Sequence, residues 1–216
     1  MLEVDIKKQL PHFQIAVDFI VQNEIIALFG PSGSGKTTIL NAIAGLAKPD
    51  SGYICLNKRT LYKTQHVHLP VQQRKVGYLF QDYALFPHKT VWQNIMYGCT
   101  SNSFAKNLMH ELEIEHLANT YPNQISGGEK QRVALTRALA TQPDVLLLDE
   151  PFSALDEKTR LRAHEELLRI QHVWQIPIIL VTHQHSEAEK LAQTIYYIET
   201  GKIIKQTTKG FNHLHE

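Results

Sequence analysis

Residues 30–37 read Gly-Pro-Ser-Gly-Ser-Gly-Lys-Thr, the pattern G-x-x-x-x-G-K-[ST], and they lie between two runs of different period. Before them, IIALF at 25–29 is uniformly apolar and bounded by Glu24, the mark of a strand buried on both faces. After them, Ile39, Ile43 and Leu46 recur at helical steps beside Leu40 until KPDSG at 48–52 breaks the pattern. Strand, glycine loop and helix open a βαβ unit, so the chain is an α/β protein. Glycines let successive N–H groups turn inward around phosphates, and the helix start adds its positive dipole end. The loop therefore makes Gly30, Pro31, Ser32, Gly33, Ser34, Gly35, Lys36, Thr37 and Thr38 candidate nucleotide ligands. Lys36 offers an ammonium to the β- and γ-phosphates, and Thr37 offers a hydroxyl to Mg²⁺. With glycine near 7% of residues, about one percent of chains this size would carry such a match by chance.

Further apolar runs, VGYLF at 76–80, VLLL at 145–148 and IILVT at 178–182, predict interior strands of a largely parallel sheet. IYYIE and KIIKQ on either side of Gly201 predict a closing hairpin and an antiparallel portion. Strand signals vanish between Asp82 and Ala140, where residues 104–122 and 128–140 are helical in pattern. The expected organisation is a single domain over 1–216, with a core of about 1–81 and 141–206 and an inserted helical lobe of about 82–140.

Composition narrows the function. Twenty-two Lys plus Arg balance 21 Asp plus Glu, which supplies no field for wrapping a nucleic acid. No apolar window reaches the roughly 18 residues of a spanning helix, and MLEVDIKKQLPHF holds no apolar signal core, so a cytosolic chain is expected. Cys55 and Cys99 are too few and too far apart for a disulfide framework or zinc cluster. The twelve histidines, including His66 with His68 and His183 with His185, offer no third and fourth metal ligands at a recognisable spacing.

VLLLDEP at 145–151 ends an apolar strand in two carboxylates, at the strand end where open α/β sheets bind ligands. Alternation sends Asp149 and Glu150 in different directions. Asp149 is the candidate for holding Mg²⁺, and Glu150 for orienting and deprotonating an attacking water. Ser126-Gly127-Gly128 opens a helix 23 residues before Asp149. Its exposed N–H donors suit an anion, while Ser126 and Glu129 also spell an S-x-x-E capping box that would serve the helix alone.

The order of phosphate loop, Gln81 after VGYLF, Ser126-Gly127-Gly128, Asp149-Glu150, SALD at 153–156 and His183 after IILVT resembles the ATP-binding subunit of ATP-binding cassette transporters, over about residues 1–206. The resemblance implies that Gln81 senses metal and water, that His183 contacts the γ-phosphate, and that Asp156 lies in a loop crossing between two subunits. It implies that the serine-glycine signature reaches ATP on an opposite subunit, in a head-to-tail dimer with two composite sites. The chain departs from the usual L-S-G-G-Q at Ile125 and Glu129, and carries Gln184 where Asp is more frequent. Phe13 is the candidate for stacking on adenine, with His12 and Phe19 as alternatives.

By the same resemblance the chain is the ATPase of a multi-subunit importer on the cytoplasmic face of the membrane, most similar to molybdate and sulfate importers. Permease subunits would dock near Tyr83-Ala84-Leu85-Phe86-Pro87, and a solute-binding protein would act indirectly. Importers for sugars or polyamines are close behind. A soluble cassette ATPase of DNA repair or translation is the alternative, disfavoured because Lys36 and Ser126 are only 90 residues apart without sustained heptads. The C-terminal regulatory domain found in many such importers is expected to be missing.

Overall fold

The computed structural model describes residues 1–209; the expectation that one domain runs to residue 216 extends past them. The chain opens with β1 (Leu2–Gln9) and β2 (Gln14–Val21), which pair antiparallel along their whole length. Leu2, Val4 and Ile6 face Val17, Phe19 and Val21 on the buried side, while Glu3, Asp5 and Lys7 alternate outward. β3 (Ile25–Phe29) then leads through the glycine loop into α1 (Lys36–Ala44). β4 (Ser51–Leu56), β5 (Arg59–Lys63) and the short β6 (Val67–His68) extend the antiparallel side.

β7 (Val76–Leu79) precedes three helices: α2 (Val91–Met96), α3 (Asn102–Glu111) and α4 (Gly127–Leu139). β8 (Val145–Asp149), α5 (Glu157–Trp174), β9 (Ile178–Thr182), α6 (His185–Leu191), β10 (Thr194–Glu199) and β11 (Lys202–Thr208) complete the described chain. All the strands join one sheet, in the order β6-β5-β4-β1-β2-β11-β10-β3-β9-β8-β7. From β10 to β7 the neighbours run parallel, and every residue of β8 and β9 is buried, as strands covered on both faces require. No helix of the described residues is long and apolar enough to cross a membrane.

Two hydrophobic clusters cover the two faces of the sheet. One packs α1 against β1, β2, β4 and the inner residues of β3, β8 and β9. The other runs without a break from Ile25, Leu146 and Ile178 through Val133 and Leu139 of α4 to Ile95 of α2 and Met109 of α3. The helices between β7 and β8 therefore share a core with the sheet.

Parallel strands all end their C-termini on one side, so β3, β7, β8 and β9 deliver the glycine loop, Gln81, Asp149-Glu150 and His183 to one rim.

Candidate functional site

The glycine loop turns through left-handed backbone at Gly33 (φ 77°) and Gly35 (φ 102°), conformations a side chain would strain. Gly35 precedes α1 directly, so the helix starts at Lys36 with its N-terminal N–H groups facing the loop. Lys36 is 5% exposed. Its Nζ donates to Gly30 O (2.9 Å), Pro31 O (2.7 Å) and Ser34 Oγ (3.3 Å), which folds the ammonium into the loop. Burial lowers its pKa from the ordinary lysine value, opposed by the nearby Glu150 and Asp149 carboxylates.

Thr37 Oγ1 donates to Asp149 Oδ1 at 3.1 Å and ties the first turn of α1 to the end of β8. Asp149 is 3% exposed, and burial raises its pKa; the Thr37 hydrogen bond works against that shift by favouring the charged form. A buried carboxylate beside a hydroxyl is an oxygen donor set of the kind Mg²⁺ takes.

Glu150 follows in left-handed backbone (φ 47°), a conformation that costs a non-glycine residue on the order of 1–3 kcal/mol. Its amide donates to Val181 O (3.0 Å), while Ser153 donates from N (3.2 Å) and Oγ (3.0 Å) to its carbonyl, so the turn is held on both sides. The turn aims the carboxylate at two partners. His183 Nδ1 lies 3.3 Å from Glu150 Oε2, and Gln81 Nε2 lies 3.5 Å from the same oxygen.

Lys36, Thr37, Gln81, Glu150 and His183 line one cleft of about 540 Å³ with Ser32, Gly33, Gly35, Thr38 and the segment Leu10–Phe13. Phe13 is half-buried against the first core cluster and is the ring of that segment nearest Gly35; His12 is more exposed. Phe19 is not in the cleft. It is buried against Tyr196, with ring centroids 5.4 Å apart.

A second cleft, of about 280 Å³, is lined by Ser126, Gly127, Gly128, Asp156 and Thr159 together with Arg132, Arg162 and Glu166. It shares no lining residue with the first. The capping box forms in full: Ser126 Oγ accepts from Glu129 N (3.4 Å), and Glu129 Oε2 accepts from Ser126 N and Oγ (both 2.7 Å). Asp156 caps α5, accepting from Thr159 N (3.1 Å) and Thr159 Oγ1 (2.6 Å), bonds that lower its pKa. The structure thus brings Gln81, Lys36, Thr37, Asp149, Glu150 and His183 together, and separately joins Asp156 to the signature.

The aromatic stretch after Gln81 divides. Tyr83 is buried and Leu85 packs on the core, whereas Ala84 and Pro87 are exposed and Phe86 is half-exposed. Phe86 stacks at a tilt on Tyr97 (4.7 Å), and Arg137 lies over its ring (5.6 Å).

The sheet, glycine loop and paired clefts define an ATP-binding cassette. A solved dimeric cassette, MJ0796 in a post-hydrolysis state bound to ADP and Pi, matches with a TM-score of 0.83 and 29% identity, over 98% of this chain and 100% of that one. The profile of the family described as ABC transporter matches residues 17–153, and the chain belongs to that family. Among its relatives, the molybdenum import ATP-binding protein ModC of Haemophilus influenzae is 44% identical over 94% of this chain. The chain spans 59% of the length of that protein. The probable sulfate/thiosulfate import ATP-binding protein CysA of Chlorella vulgaris is 42% identical, over 93% of this chain and 88% of that protein.

Proposed function

We propose that the chain hydrolyses ATP to drive a membrane importer of oxyanions of the molybdate or sulfate kind. The observation that carries the reading is Glu150, held in left-handed backbone with its carboxylate between His183 and Gln81, beside Lys36 and the Thr37–Asp149 pair. The names of the relatives at 42–44% identity support the oxyanion class.

Lys36 and the backbone N–H groups of the loop bind the β- and γ-phosphates, and Phe13 stacks on adenine. Thr37, Asp149 and Gln81 would hold Mg²⁺, which would supply neutralisation of charge on the phosphate oxygens. Glu150 accepts a proton from the attacking water as its oxygen bonds to the γ-phosphorus and the β–γ bridging oxygen leaves with ADP. His183 contacts the γ-phosphate and fixes the Glu150 carboxylate. The signature and Asp156 act on ATP held by an opposite subunit, so two cassettes associate head to tail, with phosphate seated on the N-terminus of α4. Permease subunits dock around Phe86, and the pair works at the cytoplasmic face of the membrane, a solute-binding protein delivering the cargo.

Glu150→Gln removes the base and keeps the shape. It should retain ATP affinity, lose at least ~10²-fold in turnover and accumulate ATP-bound dimers, read by steady-state hydrolysis and sedimentation. Near-normal turnover in that variant would remove Glu150 from the base role.

A further inference from the structure

The cleft does not use the most deeply buried histidine among the described residues. His164, on α5, is 4% exposed and has no hydrogen-bond partner for either ring nitrogen among the described residues. It sits between the two segments that carry the cleft's reactive groups. On one side Phe152, two residues after Glu150, presents its ring edge-on at 4.6 Å and 76°. On the other, Glu187 of α6, four residues after His183, places Oε1 at 3.9 Å from His164 Nε2, and that oxygen also has no partner among the described residues.

Glu187 is tied to the His183 loop through its other oxygen. Oε2 accepts from Thr182 Oγ1 (2.7 Å), which accepts in turn from Gln184 N (3.0 Å), so the chain of bonds brackets His183. A second link from α5 runs alongside, Arg160 Nη1 donating to Gln184 Oε1 at 3.3 Å. Buried polar atoms are almost always paired, and 3.9 Å is just beyond hydrogen-bond reach. An approach of α5 and the His183 loop by about 1 Å pairs two of the three orphaned atoms. Burial, with Lys190 and Arg160 nearby, pushes the His164 pKa down to about 4, which leaves a neutral ring able to donate one N–H.

We infer that His164 and Glu187 are a positioning pair: closing the Nε2–Oε1 contact seats the His183 loop on α5 and locks in place the approach of His183 to Glu150 that the structure already shows. The inference rests on the proposed hydrolysis and adds to it. α5 begins at Glu157, directly after Asp156 in the signature cleft, so an opposing subunit that presses on Asp156 moves the helix carrying His164. Arrival of the second subunit is thereby felt at His183 through side chains of one chain.

The test compares the full chain with His164→Phe, which keeps a ring against Phe152 and deletes the polar link, and with His164→Gln, which restores a donor toward Glu187. His164→Phe should lower kcat about tenfold with nucleotide affinity and KM within about twofold, and His164→Gln should recover most of the loss. An unchanged kcat, or a matching loss of nucleotide affinity and thermal stability in both variants, would overturn the pair as a positioning device. Nitrogen-15 histidine NMR of the unmodified chain supplies an arm independent of the variants' folding. A slowly exchanging His164 Nε2–H, hydrogen-bonded in the presence of a non-hydrolysable ATP analogue, is expected; a ring with no hydrogen-bonded N–H in that complex would overturn the inference. If the unmodified chain hydrolyses no ATP, the hydrolysis reading fails, and the NMR arm still decides the pair.

Discussion

Gly127 and Gly128 stand side by side in the signature, yet they meet different surroundings. A Cβ on Gly127 would lie 3.7 Å from Ala154 O, an ordinary contact, whereas a Cβ on Gly128 would lie 2.6 Å from Thr159 Cγ2. Thr159 cannot swing away freely, because its Oγ1 bonds Asp156 at 2.6 Å. Gly128 is thus required by packing within the chain, independently of any phosphate. Gly128→Ala should cost about 1–3 kcal/mol in thermal or denaturant unfolding of the isolated chain, while Gly127→Ala should stay within about 0.5 kcal/mol. Bulk at residue 127 then tests the proposed intersubunit role: Gly127→Trp should abolish ATP-driven dimerisation, read by sedimentation, and leave single-chain nucleotide binding intact. At this scale the sequence discloses the phosphate loop and the Asp149-Glu150 pair, because their chemistry depends on neighbours in the chain. The meeting of Glu150 with His183 and Gln81, and the left-handed backbone at Glu150, depend on strand pairing and carry no local signal.

Among the elements, α1 shows how a helix that positions phosphate ligands is anchored at its far end. Gly45 ends it in left-handed backbone, and Arg74, 1% exposed, donates from Nη1 to Ala42 O (2.8 Å) and Ile43 O (2.9 Å) and from Nε to Leu69 O (2.9 Å). A cation on the last carbonyls complements the helix dipole and satisfies groups that would otherwise be orphaned. Arg74→Leu should therefore destabilise the fold by about 3 kcal/mol in denaturant unfolding and loosen nucleotide binding only through that loss. Nothing in the sequence marks Arg74 as the cap of α1, since the two carbonyls it caps, Ala42 O and Ile43 O, lie 32 and 31 residues away. The interior strands β3, β7, β8 and β9 are legible as apolar runs because both their faces are covered. β1 alternates buried Leu2, Val4 and Ile6 with Glu3, Asp5 and Lys7, and β2 alternates buried Val17, Phe19 and Val21 with Asp18 and Ile20, so a search for continuous apolar runs passes over them, although their period of two is present in the residues.

For the molecule as a whole, the proposed coupling to a permease needs a route from the phosphate end to the surface, and the segment after Gln81 runs from the cleft to exposed residues. Four residues separate Gln81, in contact with Glu150, from Phe86, which with Tyr97 (69% exposed) forms an aromatic surface beside the exposed Pro87. The backbone of this segment is fixed without help from the Phe86 side chain. Asn94 Oδ1 accepts from Phe86 N (2.8 Å), its Nδ2 donates to Phe86 O (3.2 Å) and Lys89 O (3.1 Å), and Arg137 donates to Tyr83 O and Ala84 O (both 2.7 Å). Truncation of Phe86 therefore removes surface and leaves the scaffold, whereas Tyr83 is core and its truncation would open a cavity. Aromatic anchors at protein contacts commonly cost ~2 kcal/mol or more when cut back. Phe86→Ala should leave the isolated chain's melting temperature and ATP affinity near those of the unmodified protein. In the native membrane complex the same change should weaken assembly by about thirtyfold, or let hydrolysis run without transport. Assembly and transport at normal levels with Phe86→Ala would exclude this surface as the permease contact, and a misfolded isolated variant would assign Phe86 to the core beside Tyr83.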